Sequence, residues 1–313
     1  MKTVKIMTNK KNRTKKRQSS NEKIAYRIKP ITFEQAQNDF HSLQKMSCTM
    51  VRNASGRKVL GNNVVDYFTF EERLHTKGHQ NVSFYDFWKN RKVYIKKPYV
   101  KKMLKFYETR NIDEIRKYKY IYNLYFSSIA VFRPIMAMDV YCRVNAKRVL
   151  DFTMGWGGRL IGACALNLEA YYGIDLNKHL EGPYQKMREM MLTTENVDTH
   201  IELYFKDALD IDYSQFDYDT VLTSPPYYDI EKYRYSSSEY KNQSEWNDQF
   251  YEPLFKKTFE CLKKGGNYCL NIPVELYENC ARIVLGDCSH KMLLKKSDRH
   301  IGKYKEYIYI WEK

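Results

Sequence analysis

Over its C-terminal half the chain alternates short apolar runs with amphipathic stretches. Strand-like runs fall at 149–151, 170–175, 201–206, 219–223 and 267–272. Helical patterns fall between them: one through Leu160, Ile161, Ala163 and Leu166, then 179–193 and 246–262. Strands separated by helices need crossover connections, so the pattern predicts a mostly parallel sheet with helices on both faces. A helix over 274–285 follows, and two late runs, Met292-Leu293-Leu294 and Tyr307 to Trp311, close the chain. Upstream, Ile112, Ile115, Tyr118, Tyr122 and Phe126 recur at helical spacing, which predicts a helix from Ile112 to Phe132 with Asp113 and Glu114 in its first turn. Pro134 opens a second helix through Met136, Val140 and Val144.

Two loops in this pattern carry chemistry. The first, Asp151-Phe152-Thr153-Met154-Gly155-Trp156-Gly157-Gly158-Arg159, joins a strand to a helix. Its glycines let backbone pass close to a ligand, and Asp151 at the strand tip can accept from a ligand's ammonium or hydroxyls. The spacing is Gly-x-Gly-Gly, not the dinucleotide fingerprint, and no phosphate-clamping Gly-Lys-Ser/Thr occurs, which disfavours nicotinamide cofactors and nucleoside triphosphates. About 20 residues on, the usual offset of a ribose-binding acid, the next strand ends in Asp175. The second loop is Ser224-Pro225-Pro226-Tyr227. Its prolines fix φ and remove two N–H donors, so the Ser224 and Pro225 carbonyls are free to accept from an amino group, and Tyr227 offers a face on which a planar ring stacks. An ordinary Pro-Pro turn is the bland alternative.

Together these residues resemble the S-adenosylmethionine-dependent amino-methyltransferases that act on N4 of cytosine or N6 of adenine in DNA. Ser224, Pro225, Pro226 and Tyr227 match that family's catalytic tetrad residue for residue. The resemblance implies a Rossmann-like class I methyltransferase sheet, mostly parallel with an antiparallel hairpin at one edge, over roughly residues 130–313. It implies S-adenosylmethionine as cofactor, held by the Asp151–Gly158 loop (Asp151, Phe152, Thr153, Gly155, Gly157), by Asp175 and Leu176 at the ribose, and by Asp207 and Ala208 at the adenine. Phe132 falls where the family covers the methionine end. The glycine loop, with Tyr228-Asp229-Ile230-Glu231-Lys232-Tyr233 after the tetrad, is similar to DNA methylases of bacteriophages and large DNA viruses, which would put the protein in a host cytoplasm or nucleus. A serine opening the tetrad leans toward cytosine, but both bases stay open.

Charge points to a polyanionic partner. The net +16 sits in residues 1–23, at +8, and in 91–119, also +8, leaving the rest of the chain neutral. Residues 1–23 read as a disordered basic tail, 24–110 as a mixed extension that recognises the target, and 111–313 as the methyltransferase domain. Lys96, Lys97, Lys101 and Lys102, set among Tyr94, Tyr99, Phe106, Tyr107, Tyr118 and Tyr120, read as a nucleic-acid surface, although aromatics at such spacing also build cores. Tyr228, Lys232, Tyr233 and Arg234 fall in a polar stretch, 228–245, expected to close on the target base. With no run of about 18 apolar residues and no apolar leader, the chain reads as soluble and intracellular, without a membrane partner. Seven scattered cysteines read as reduced thiols. His75 and His79, with no acid or cysteine at ligand spacing, do not read as a metal site, and none is expected. Duplex DNA is the expected partner, with an RNA base methyltransferase and a catalytically silent nucleic-acid-binding subunit as rivals.

Overall fold

The computed structural model describes residues 19–54, 59–78, 80–126, 129–228, 240–294 and 306–313. Its N-terminal part is helical: α1 (Ser20–Ile28), α2 (Phe33–Gln44), α3 (Cys48–Arg52), α4 (Asn62–Arg73), α5 (Phe84–Lys89), α6 (Arg91–Tyr94), α7 (Pro98–Glu108) and α8 (Glu114–Tyr125). The expected tail ends sooner than residue 23, because Ser19 and Glu22 form a capping box that starts α1, and Ala25 and Ile28 bury its inner face. Residues 1–18 lie outside the described set.

The expected Ile112–Phe132 helix is shorter. Asp113 accepts from the Ile115 amide at 2.9 Å and starts α8, which ends at Tyr125. Arg133 is extended (φ −69°, ψ 138°), the conformation favoured before a proline, and Pro134 then occupies the first turn of α9 (Pro134–Val144).

The sheet follows as β1 (Arg148–Asp151), α10 (Gly158–Ala165), β2 (Ala170–Ile174), α11 (Glu181–Leu192), β3 (His200–Tyr204) and β4 (Thr220–Thr223). Then α12 (Gln243–Trp246) runs through a π turn (Asn247–Tyr251) into α13 (Glu252–Cys261), before β5 (Asn267–Ile272), β6 (His290–Leu293) and β7 (Tyr307–Glu312). Strand order is β3-β2-β1-β4-β5-β7-β6. The first five pair in parallel, and β7 runs antiparallel between β5 and β6. This is the doubly wound, Rossmann-like sheet that the alternation predicts, with the antiparallel edge that the resemblance implies. Order reverses between β1 and β4, which pair as Val149↔Thr220 and Leu150↔Val221. Such a switch point opens a crevice at the strands' carboxyl ends, where the glycine loop and the tetrad emerge side by side.

One face of the sheet packs on α9, α10 and α11, and that core runs on into Phe40, Leu43, Val64 and Val65 of the N-terminal helices. The other face carries an aromatic core around Phe152, Tyr251, Phe255 and Tyr268. A third cluster joins α1, α5, α7 and α8. Thus α8, placed with the second domain by its position in the chain, shares its apolar core with the helices before it. A disulfide joins Cys48 of α3 to Cys142 of α9, correcting the expectation of seven thiols. No helix among the described residues is long and apolar enough to cross a membrane.

Candidate functional site

A cavity of about 1360 Å³ lies between the carboxyl edge of the sheet and the N-terminal helices. Of the residues expected to bind cofactor, Phe132, Phe152, Thr153, Gly155, Asp175, Leu176, Asp207 and Ala208 line it, and so do all four tetrad residues.

The glycine loop is fixed from three sides. The Tyr184 hydroxyl donates to the Met154 or Gly155 carbonyl, 3.1 Å from each. At Gly157 φ is +91°, and a Cβ would come within 2.7 Å of Met187 Cε. Gly158 admits the strand-to-helix turn under residues 129–133, since a Cβ there would sit 1.8 Å from the Phe132 carbonyl oxygen. Gly157 therefore packs on α11 and does not line the cavity.

Asp151 does not line it either, so it is not the ligand contact expected of it. It is fully buried. Its Oδ2 accepts from Arg159 Nε at 2.7 Å and from the Tyr171 hydroxyl at 2.6 Å, and its Oδ1 accepts from Thr223 at 2.9 Å. Arg159, held above its already high ordinary range by that carboxylate despite burial, also donates to the Thr153 carbonyl. Its guanidinium lies 5.2 Å from the Phe132 ring centroid. With the Thr223 proton committed to Asp151, Thr153 is the donor in the 2.6 Å hydrogen bond between the two threonine hydroxyls. That bond ties the start of the glycine loop to the residue just before the tetrad.

Asp175 takes the opposite role. Its oxygens accept from the Gly155 amide at 2.8 Å and the Asn177 amide at 2.8 Å, and the residue lines the cavity. Each oxygen keeps a lone pair. Burial pushes its pKa up to about 6, against the pull of the two amides. Asp207 caps a short turn through the Leu209 amide at 3.0 Å.

In the tetrad, the Tyr227 hydroxyl lies 2.9 Å from the Asn271 carbonyl, 2.9 Å from Glu306 Oε1 and 3.2 Å from Ser224 Oγ. Ser224 Oγ donates to Asn271 Oδ1 at 3.3 Å, which leaves a lone pair for a further donor beside the Tyr227 hydroxyl. The Tyr251 hydroxyl donates to the Pro226 carbonyl at 2.5 Å and accepts from the Tyr228 amide at 3.1 Å. Among the described residues, nothing donates to the Pro225 carbonyl.

Other expectations fare differently. Tyr228, at φ +49° and 8% exposed, packs edge-on against Trp246 and Tyr251, so its ring is a wall of the site and not a free nucleic-acid contact. Lys232, Tyr233 and Arg234 lie outside the described residues. Lys96, Lys97, Lys101 and Lys102 are exposed around the start of α7, away from the cavity lining. The aromatics among them are mainly structural. Tyr118 is buried, Tyr94 packs on Phe87 and Phe126, and Tyr99 packs on Tyr125, while Phe106 and Tyr120 remain exposed. Glu71 and Glu72 do approach His75, with ligand atoms within 4.8 Å of one another. These side chains are engaged by protein groups, Glu71 by Tyr85 and His75 and Glu72 by Asn177.

Sequence reasoning missed Thr223, Arg159, Asn271 and Glu306. Arg159 and Thr223 stood beside motif residues; Glu306 gave no signal, because only the antiparallel register Ile272↔Tyr307 brings it to the tetrad.

No protein family's sequence profile matches the chain, and no curated protein matches it in sequence. Similar solved structures include TrmN from Thermus thermophilus (19% identity, TM-score 0.41, covering 57% of this chain and 48% of that one). They also include an rRNA methylase from Streptococcus thermophilus (18%, 0.38, 59% and 99%) and the M. jannaschii tRNA m1G37 methyltransferase (12%, 0.39, 59% and 51%). The chain thus spans about half the length of TrmN. At these identities and scores the likenesses carry nothing about this chain's substrate.

Proposed function

We propose that the protein transfers a methyl group from S-adenosylmethionine to an exocyclic amine of a DNA base, N4 of cytosine or N6 of adenine. The observation that carries this reading is the Thr153–Thr223 hydrogen bond, which sets the acid-and-glycine end of the cavity against the Ser224–Tyr227 loop. The cavity residues fit the cofactor. Asp175 has lone pairs for ribose hydroxyls, Asp207 and Ala208 line the wall for an adenine, and Phe132 and Gly155 line the remainder. Asp151 supports them indirectly through Arg159 and Thr223. When bound, S-adenosylmethionine supplies an electrophilic sulfonium methyl.

The chain's own contribution is to make an aromatic amine nucleophilic. Its lone pair is delocalised into the ring while the nitrogen is planar. Ser224 Oγ and the Pro225 carbonyl accept its two hydrogens, which favours the pyramidal nitrogen and localises the lone pair. Tyr227, its hydroxyl anchored on the Asn271 carbonyl and Glu306, holds a flipped base by stacking. Incubation with methyl-labelled cofactor and unmodified duplex DNA, followed by nucleoside mass spectrometry, tests the reading. Expected is label on N4-methylcytosine or N6-methyladenine, lost in Tyr227→Ala and Pro225→Ala while cofactor affinity stays nearly unchanged. Label on RNA alone would move the substrate, and absence of cofactor binding would remove the reaction.

A further inference from the structure

The cavity extends well past the cofactor-type residues, and its far wall is built by α1, α4 and α8. Lys29, Arg73, Arg116 and Lys119 line that wall, with Asp66 as its carboxylate. Lys29 and Arg73 both pair with Asp66, which is 8% exposed. Their cationic groups lie 5.2 Å from the Phe70 ring centroid. Lys119 has no carboxylate partner among the described residues. Its Nζ lies 4.7 Å from the Tyr122 ring and 5.3 Å from the Phe84 ring, and donates to Asn123 Oδ1 at 2.7 Å. An ammonium carries three donors, so two remain. Arg116 donates to the Arg27 carbonyl at 3.0 Å through Nε, leaving the rest of its guanidinium fork. Four cations around one carboxylate repel one another, and a bound anion relieves that repulsion.

We propose that this helical wall is a phosphate-binding lobe, which holds a phosphodiester of the strand whose base enters the Ser224–Tyr227 loop. The inference rests on the base-methylation reading and adds to it where the strand's backbone runs. Burial and the neighbouring Arg73 and Lys29 charges push the Lys119 pKa down to about 7, and an approaching anion favours its charged form. The exposed lysines of α7 then serve long-range attraction, while recognition of the backbone falls to the cavity wall.

The test uses the full-length protein, Lys119→Met and Arg116→Gln variants, and fluorescein-labelled short single-stranded DNA titrated across a salt series. Each variant is expected to bind about tenfold more weakly at low salt, as for a lost charge-assisted contact. The slope of log affinity against log salt should fall by roughly 0.7 per cation removed. Cofactor affinity should stay within about twofold. Arg116 is half-exposed, so its variant decides the question should Lys119→Met fail to fold. Unchanged DNA affinity and slope in a wild-type protein that methylates DNA would overturn the lobe and leave the reaction standing. Weakened DNA binding in a protein that methylates nothing would support the lobe and remove the reaction. Loss of cofactor affinity in the variants would assign the wall to the cofactor's carboxylate and overturn the proposal.

Discussion

Asp151 and Asp175 end neighbouring strands, yet their surroundings give them opposite work. Asp151 spends its carboxylate on Arg159, Tyr171 and Thr223, away from solvent. It acts as the pin between two loops. Asp175, with two backbone amides and a place in the cavity lining, keeps capacity for hydroxyl donors. Its pKa rises from 3.8 to about 6 because burial outweighs those amides, with Asp151 adding to the rise and Arg159 opposing it. A raised acid binds its proton more tightly when folded, so its contribution to stability falls as pH climbs from about 4 to 6. Ligand hydroxyls that donate to the carboxylate favour the charged form and reverse that preference. Cofactor affinity measured by calorimetry should therefore be about tenfold lower at pH 5 than at pH 7, with a proton released on binding near pH 6. Asp175→Asn should bind weakly with no such pH dependence. A wild-type affinity that is flat across this range would remove Asp175 from the ribose contact.

The π turn at Asn247–Tyr251 shows how an element serves a site it does not enter. Irregular turns of this kind are frequent beside functional loops. Here the turn aims Tyr251 so that a single hydroxyl satisfies both the Pro226 carbonyl and the Tyr228 amide, fixing the tetrad's exit. Tyr251→Phe leaves two backbone groups unpaired and should cost about 1–3 kcal/mol of stability in urea titrations. Methyl transfer should drop through kcat with cofactor affinity unchanged, and an unchanged kcat would show that the tetrad's exit needs no such support. The same elements mark what the chain discloses before folding. The seven strands announced themselves because short apolar runs bounded by polar turns have one common use, and each begins and ends within two residues of its expected position. The tetrad and glycine loop were legible because they sit at strand ends, which local pattern locates. Tyr118, Tyr94 and Tyr99 were misread as a binding surface, since an aromatic between lysines looks alike whether α6, α7 and α8 turn it inward or outward. Asn271 and Glu306 were invisible, because strand register and not spacing brings them to Tyr227.

The helical layer and the sheet behave as one body, because the apolar core that begins at Phe40 and Val65 continues without interruption through Leu160 to Tyr171. A boundary near residue 110 does not divide the chain by packing. Residues that bury against both parts leave neither with a complete core, so the two should unfold together. The Cys48–Cys142 disulfide closes a sequence separation of 94 residues across this contact. A cross-link of that span restricts the unfolded chain and is typically worth about 2–4 kcal/mol. Reduction should thus lower the unfolding free energy by about that amount. Alkylation under denaturing conditions should count seven thiols after reduction against five before it. The transition should stay single in both states, since the continuous core, and not the cross-link, couples the layers. The cavity lies between those layers, so its walls depend on that coupling. Were reduction to split the transition in two, the disulfide would be what holds the helical wall over the sheet, and oligonucleotide binding should then fall on reduction while cofactor binding persists.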